Sequence, residues 1–216
     1  MGSGFGISLT ARRLAPSDNS ALAFQSVAIG DNNASIGESS TAVGSYNDAI
    51  GDSSSAVGVE NVAGFLIEGQ NGEPDQRFGE SSSAIGVSNE AFNDESSAIG
   101  YDNFATGLGA SALGNGNYAE GDYSSAIGHY NEAIGEESVA LGGHNYAEGE
   151  ESSAVGYDNQ AIGEGSTAVG SENYAYGEDS VAVGSGNEAY INDSSAIGVR
   201  NFANEEDSSA IGFNNT

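Results

Sequence analysis

The 216-residue sequence contains no cysteine, no tryptophan and no lysine, and it has only two prolines and one methionine. Without cysteine there are no disulfides, no thiolate metal ligands and no cysteine nucleophiles. The apolar residues are mostly Ala, Val and Ile beside 33 glycines, and side chains this small do not fill a layered globular core. The composition therefore favours a narrow fold in which backbone packs closely on backbone.

Positive charge is almost absent. Four arginines face 32 acidic residues, which gives a formal net charge of -28. Such a surface repels nucleic acid and anionic lipid. An acid excess without lysine is typical of proteins from salt-loving organisms, and an ordinary acidic extracellular protein is the alternative. No run is apolar enough to span a membrane, and the N-terminus lacks a basic segment followed by an apolar one, so we expect no membrane insertion.

A tripeptide of the form Ala-(Ile/Val/Leu)-Gly recurs along the chain at a constant interval, which is doubled at one place. Asn stands five positions after each of these alanines, and a second Ala usually follows two positions later. The repeat unit reads Ser-x-Ala-(Ile/Val)-Gly-x-x-Asn-x-Ala-x-Gly-(Glu/Asp)-x. The tripeptides begin at 28, 42, 56, 84, 98, 112, 126, 140, 154, 168, 182, 196 and 210.

Each 14-residue unit contains two short stretches with period-two alternation, Ser-x-Ala-x-Gly and Asn-x-Ala-x-Gly, which predicts two strands joined by turns. Two strands per unit form one coil of a parallel β-solenoid. A coil this short cannot enclose bulky side chains, so Ser, Ala, Gly and Asn are expected to face the lumen. The stacked Asn amides are expected to hydrogen-bond from coil to coil.

The opposite face of the first strand carries one aliphatic residue per coil, which we call the aliphatic stripe. A continuous stripe of thirteen such residues is too large to leave in water, so it predicts an oligomer interface. The stripe consists of Ile29, Val43, Val57, Ile85, Ile99, Leu113, Ile127, Leu141, Val155, Val169, Val183, Ile197 and Ile211.

The pattern Ser-x-Ala-Ile-Gly-x-x-x-x-Ala-x-Gly at a 14-residue period resembles the YadA-like head of trimeric autotransporter adhesins, over about residues 19 to 216. The resemblance implies an all-β, left-handed parallel β-roll and a homotrimer whose aliphatic stripes meet at the threefold axis. The periodicity alone predicts an oligomer; the number three and the handedness come from the resemblance.

Two segments depart from the repeat. Residues 1–16 precede the β-roll of residues 17–216, and we interpret them as an attachment element. Within residues 59–83 the repeat lapses, which predicts either an irregular coil or a loop that replaces one. Loops on a rigid solenoid are common binding sites, and the candidate ligand-binding residues here are Phe65, Leu66, Ile67, Arg77 and Phe78.

The outward face of the second strand carries aromatic residues at alternate coils. Tyr118, Tyr146 and Tyr174 are candidates for a receptor or glycan platform, and packing between subunits is the alternative. An acidic column in the turns from Glu38 to Glu178 suggests either calcium ligands or a solvated ridge, and we prefer the ridge. His129 and His144 fall in analogous turns of successive coils, and we expect exposed histidines there rather than a metal pair.

The regular repeat offers no unique acid/base pair or nucleophile, so we expect neither an enzyme nor a cofactor. Ice binding requires ranks of Thr, and the chain has only five. The sequence predicts a non-enzymatic surface protein on a cell or virion that binds a surface receptor, glycan or matrix ligand. A structural spike, fibre or decoration protein of a virus, joined to other virion proteins through residues 1–16, is the alternative; it is favoured if the 216 residues are a complete gene product.

Overall fold

A computed structural model describes residues 19–67 and 76–216. These residues form two parallel thirteen-stranded sheets and one antiparallel pair of strands. They contain no helix, and so no helix that could cross a membrane. The proposed attachment segment, residues 1–16, lies outside the described ranges.

The first of the two large sheets, called the long-strand sheet, has one five-residue strand per coil. Its members are β2 Val27–Asp31, β4 Thr41–Ser45, β6 Ser55–Val59, β10 Ser83–Val87, β12 Ser97–Tyr101, β14 Ser111–Asn115, β16 Ser125–His129, β18 Val139–Gly143, β20 Ser153–Tyr157, β22 Thr167–Ser171, β24 Val181–Ser185, β26 Ser195–Val199 and β28 Ser209–Phe213.

The second large sheet, called the short-strand sheet, has one two-residue strand per coil. Its members are β1 Ser20–Ala21, β3 Ala34–Ser35, β5 Asp48–Ala49, β7 Val62–Ala63, β11 Glu90–Ala91, β13 Phe104–Ala105, β15 Tyr118–Ala119, β17 Glu132–Ala133, β19 Tyr146–Ala147, β21 Gln160–Ala161, β23 Tyr174–Ala175, β25 Glu188–Ala189 and β27 Phe202–Ala203.

Adjacent coils stack in strict register. In the long-strand sheet Ile127 pairs with Leu141, and in the short-strand sheet Ala133 pairs with Ala147. Each partner lies one repeat unit further along the chain, so identical positions of the repeat form columns along the solenoid. The prediction of an all-β parallel solenoid with one 14-residue repeat unit per coil is confirmed.

The lumen is lined by columns of small side chains, as the sequence predicts. Ala126, Ala133 and Ser138 have no exposed surface, and Asn131 is equally buried. The other coils bury the same positions, except at the two ends of the rod, where some of them become exposed. The core of this protein is therefore a narrow line of alanines flanked by polar side chains rather than a cluster of large apolar groups.

The asparagine column is a continuous hydrogen-bonded ladder. The backbone N–H of Asn131 donates to Oδ1 of Asn117 at 3.1 Å, and its Nδ2 lies 3.0 Å from the same oxygen. Nδ2 also lies 3.0 Å from the carbonyl oxygen of Ile127 and 2.9 Å from that of Gly142. The amide thus joins its own coil to the coils on both sides, and it satisfies polar groups that are buried from solvent.

The glycine of the tripeptide has a backbone conformation that excludes other residues. Gly128 has φ +122°, and a Cβ added there would lie 2.0 Å from the carbonyl oxygen of Gly142. A side chain at this column would separate the coils. Glycine is therefore required by the close stacking of successive coils.

The solenoid is not interrupted where the repeat lapses. β6 pairs directly with β10, from Ser55↔Ser83 to Val59↔Val87, so no coil lies between them. The intervening chain leaves the solenoid after Gly64 and returns at Gly79. Its described part is an antiparallel hairpin of β8 Phe65–Ile67 and β9 Gln76–Phe78. The segment is an inserted hairpin and not an irregular coil. Residue 70, where a tripeptide would begin if the interval were not doubled, lies outside the described residues.

Candidate binding surfaces

The hairpin, residues 65–78, begins and ends at two glycines. Gly64 and Gly79 have φ values of +87° and +88°. A Cβ on Gly64 would lie 2.4 Å from the carbonyl oxygen of Phe78, and one on Gly79 would lie 2.3 Å from Cα of Gly64. The two glycines therefore let the outgoing and returning chains pass side by side at the surface of the solenoid.

Arg77 joins the hairpin to coils that precede it. Its Nη1 donates to the carbonyl oxygen of Ile36 at 2.8 Å, and its Nη2 lies 3.3 Å from Oδ1 of Asp52. About two fifths of each side chain is exposed, so the ion pair itself contributes little stability. The contacts nevertheless tie β9 to the two coils that contain Ile36 and Asp52.

A row of aromatic rings connects the hairpin to the coils that follow it. Phe65 stacks on Phe78 with ring centroids 4.5 Å apart and an interplanar angle of 6°. Phe92 contacts Phe65 and Phe104 edge-on at 6.2 and 5.1 Å, and Phe104 stacks on Tyr118 at 5.3 Å. Edge-on and stacked ring pairs of this kind stabilise the fold by more than the burial of their apolar surface alone.

The structure thus brings together three sequence candidates that lie far apart in the chain, Phe65, Phe78 and Tyr118. Phe92, which was not among the candidates, is 8% exposed and lies at the centre of the row. Phe92 directly follows the inward-facing Ala91 in the sequence, and this position was the feature that could have identified it as part of the row. Of the remaining hairpin candidates, Leu66 is half-buried and Ile67 is 44% exposed.

The three tyrosines of the short-strand sheet do not form one ladder. Glu132 separates Tyr118 from Tyr146, and Gln160 separates Tyr146 from Tyr174, because neighbouring strands are one coil apart. Rings two coils apart do not stack.

Tyr174 belongs instead to a second aromatic row that the sequence analysis did not identify. It stacks on Tyr176 at 6.0 Å, Tyr176 contacts Tyr190 at 5.3 Å, and Tyr190 contacts Phe202 at 6.4 Å.

Two of the sheet's tyrosines have acidic neighbours. Burial raises the pKa of Tyr118, and the charge of Glu120 raises it further. Burial likewise raises the pKa of Tyr146, with Glu148 as the next cause. Both phenols are therefore neutral hydrogen-bonding groups at physiological pH, beside carboxylates that are exposed to solvent. This face of the solenoid offers aromatic surface and negative charge side by side.

The acidic turn column contributes to coil stacking through its shorter side chains. Oδ1 of Asp52 accepts the backbone N–H of Glu38 at 2.8 Å, and Oδ1 of Asp122 accepts that of Leu108 at 2.8 Å. Oδ1 of Asn192 likewise accepts the backbone N–H of Glu178 at 3.1 Å. Residues 19–67 and 76–216 contain no group of three or more His, Asp or Glu side chains placed to hold a metal ion. Some carboxylates of the described turns therefore join neighbouring coils through hydrogen bonds.

The aliphatic stripe lies on the outer face of the long-strand sheet along its whole length. Ile127 is 36% exposed, Leu141 is 41% exposed and Ile211, at the end, is 64% exposed. The remaining members are exposed or half-buried. An isolated chain therefore presents an unbroken apolar surface to water over thirteen coils.

Comparison with known families assigns this fold. The model described as "YadA head domain repeat (2 copies)" matches residues 21–47, 79–103, 105–131, 133–159, 161–187 and 192–215. The chain belongs to the YadA head domain repeat family. YadA heads are adhesin-type, non-enzymatic surface domains, as the resemblance in sequence implied. The matched segments stop at 47 and resume at 79, so the hairpin lies outside them.

No curated protein matches the sequence. A UDP-N-acetylglucosamine O-acyltransferase (LpxA) from Moraxella catarrhalis RH4 matches at 12% identity, over 92% of this chain and 68% of that chain, with a TM-score of 0.21. A score this low supports no statement about the fold or activity of the YadA head repeats described above.

Proposed function

We propose that this chain is the ligand-binding head of a trimeric surface adhesin, in which three left-handed β-rolls associate through their aliphatic stripes. The observation that carries the proposal is the outward position of that stripe along the entire long-strand sheet, where every member is exposed or half-buried. Surfaces of this extent on a single chain mark protein interfaces. Burying them on a common axis removes the apolar area from water and leaves the short-strand sheets facing outward.

The oligomer is tested by sedimentation and light scattering of the wild-type chain and of the variants Ile127→Asp and Val155→Asp. We expect a trimer for the wild type. Both variants should lose it, because an unpaired carboxylate in an apolar interface is strongly unfavourable. Tyr123→Asp, in a turn outside the long-strand sheet and 55% accessible to solvent, is the matched control and should remain trimeric. A stable, folded wild-type monomer would overturn the proposal.

The ligand, a surface receptor, glycan or matrix component, is proposed to bind at the hairpin and the aromatic residues beside it. Three observations support this choice: the hairpin is an insertion into an otherwise uniform rod, it is fixed by Arg77, and it carries exposed apolar surface at Ile67. Tyr146 and Tyr174 on the short-strand sheet are the second candidate surface.

The two surfaces are separated by measuring attachment to cells and to immobilised glycans. A chain lacking residues 65–78 should lose attachment while remaining trimeric, and the double variant Tyr146→Ser, Tyr174→Ser should retain most of it. Unchanged attachment after removal of the hairpin would exclude it as the binding site. Loss of attachment only in the tyrosine variant would move the site to the short-strand sheet.

A further inference from the structure

One edge of the solenoid carries a cluster of four exposed rings, His129, Tyr130, His144 and Tyr157, which we call the imidazole cluster. These residues lie at the ends of long strands, or in the turns that follow them, in three successive coils. All four are exposed. The two histidines are the only ones in the sequence, and the fold places them next to each other.

The rings of the cluster contact one another. The centroids of His129 and His144 are 5.4 Å apart at an interplanar angle of 75°. Tyr130 lies 4.2 Å from His129 and 5.6 Å from His144, and Tyr157 lies 5.6 Å from His144. Each imidazole is therefore flanked by a phenol ring that restricts its rotation. Groups held near their bound positions lose less conformational entropy when a ligand binds.

Glycines in neighbouring coils make room for the tyrosines. A Cβ at Gly116 would lie 2.5 Å from the ring of Tyr130, and one at Gly143 would lie 3.3 Å from the ring of Tyr157. The ring of Tyr157 therefore lies back across the preceding coil, where it meets His144, and the ring of Tyr130 lies over Gly116 of the coil before its own. Any larger residue at Gly116 would displace Tyr130 from the cluster.

The two imidazole rings, with centroids 5.4 Å apart, are close enough to share one metal ion. Two imidazoles bound to one tetrahedral ion through bonds of about 2.0–2.1 Å place their ring centres about 5 Å apart. Imidazole nitrogen is a preferred ligand of copper, nickel and zinc, whereas calcium takes oxygen ligands. The net charge of -28 raises the concentration of cations at the surface.

We propose that His129 and His144 together bind one divalent transition-metal ion at the edge of the solenoid, with the order of affinity Cu²⁺ above Ni²⁺ and Zn²⁺. The protein supplies two nitrogen ligands, and water fills the remaining positions. Tyr130 acts as a positioning residue because its ring contacts both imidazoles. The proposal is independent of the ligand surface proposed above, which lies on other residues.

The test is calorimetric titration of the untagged 216-residue chain with CuCl₂, NiCl₂ or ZnCl₂ in buffer containing excess Ca²⁺, which occupies carboxylates but not imidazoles. We expect one saturable ion per chain. His129→Asn and His144→Asn should each weaken metal binding by about 10–100-fold or more. Loss of a residue that only supports a metal ligand already costs about 10–100-fold in affinity.

The chain offers a matched control for the positioning role of Tyr130. Tyr123 has the same backbone conformation, with φ +57° against +51°, is 55% exposed against 52%, and also lies over a glycine, Gly109. Tyr130→Ser should weaken metal binding, and Tyr123→Ser should not change it. The absence of saturable binding, or binding equal in the wild type and in the double histidine variant, would overturn the proposal and assign the ions to the carboxylates.

Discussion

At the scale of single residues, each column of the repeat has its own physical requirement. Asn131 joins three coils and satisfies polar groups in a fully buried lumen. Ser138 is also fully buried, but its hydroxyl has no hydrogen-bond partner among the described residues. The serine column already contains an alanine in one coil, Ala110, which is equally buried. The asparagine column therefore contributes hydrogen bonds to the stability of the fold, whereas the hydroxyl of Ser138 contributes none.

This difference predicts opposite results for two alanine substitutions. Asn131→Ala should lower the free energy of unfolding by about 1–3 kcal/mol or more, because it leaves the backbone N–H and the Nδ2 of Asn145 without their acceptor. Ser138→Ala should be neutral or slightly stabilising. Urea unfolding of both variants measures the effect, and an equal loss in the two would contradict the role assigned to the asparagine ladder.

Glu90 is a charged residue in an unfavourable position. Burial raises the pKa of its carboxyl above 4.5, and the charge of Asp102 raises it further. A raised pKa in the folded state means that the fold favours the protonated form. The stability associated with this group is thus fully present below its unfolded pKa and is lost as the pH rises through the folded pKa.

Glu90→Gln keeps the neutral form at every pH, so it should stabilise the protein at pH 8 and give a smaller gain toward pH 5. Thermal unfolding at both pH values measures the difference. Glu132→Gln is the matched control, because Glu132 occupies the same position of its coil and is exposed. A gain for Glu90→Gln that is independent of pH would refute the titration of Glu90 as its cause.

At the scale of elements, the hairpin is an addition that the solenoid does not require. Ala63 and Gly64 before it, and Gly79 and Glu80 after it, together supply the turn that Ala49-Ile50-Gly51-Asp52 supplies in a regular coil. Removing residues 65–78 takes out one whole repeat unit and restores the ordinary distance between the strands of the coil.

We therefore expect the chain lacking residues 65–78 to fold into the same solenoid, with an unchanged far-ultraviolet circular dichroism spectrum and cooperative unfolding. Removal of residues 65–79, one residue more, is the control. It shortens the coil by one residue, which turns inward side chains outward in a structure of period two. Equal stability of the two deletions would show that register does not constrain this coil.

At the scale of the whole molecule, negative charge is stacked along the turns of successive coils. Three chains in the proposed trimer carry 3 × -28 = -84 charges. At 0.01 M salt the Debye length is about 30 Å, so each carboxylate is repelled by those of several coils, whereas at 1 M it is about 3 Å. The repulsion opposes folding and association to a degree that depends on salt.

The melting temperature should accordingly rise steeply between 10 mM and 1 M NaCl, and KCl should give nearly the same curve. Differential scanning calorimetry measures it. A melting temperature that does not respond to NaCl would refute the interpretation of the sequence as adapted to high salt. A sharp rise specific to calcium at constant ionic strength would instead indicate real calcium sites in the acidic column.

The sequence by itself determined the solenoid, its 14-residue coil and the direction of every repeated side chain, because those properties follow from local alternation multiplied over thirteen copies. It did not determine what happens at single positions that break the repeat. The irregular segment became a hairpin because its insertion leaves the pairing of β6 with β10 intact, which only the stacked structure reveals. The meeting of Phe65 with Phe92, and of His129 with His144, likewise depends on which coils become neighbours in space.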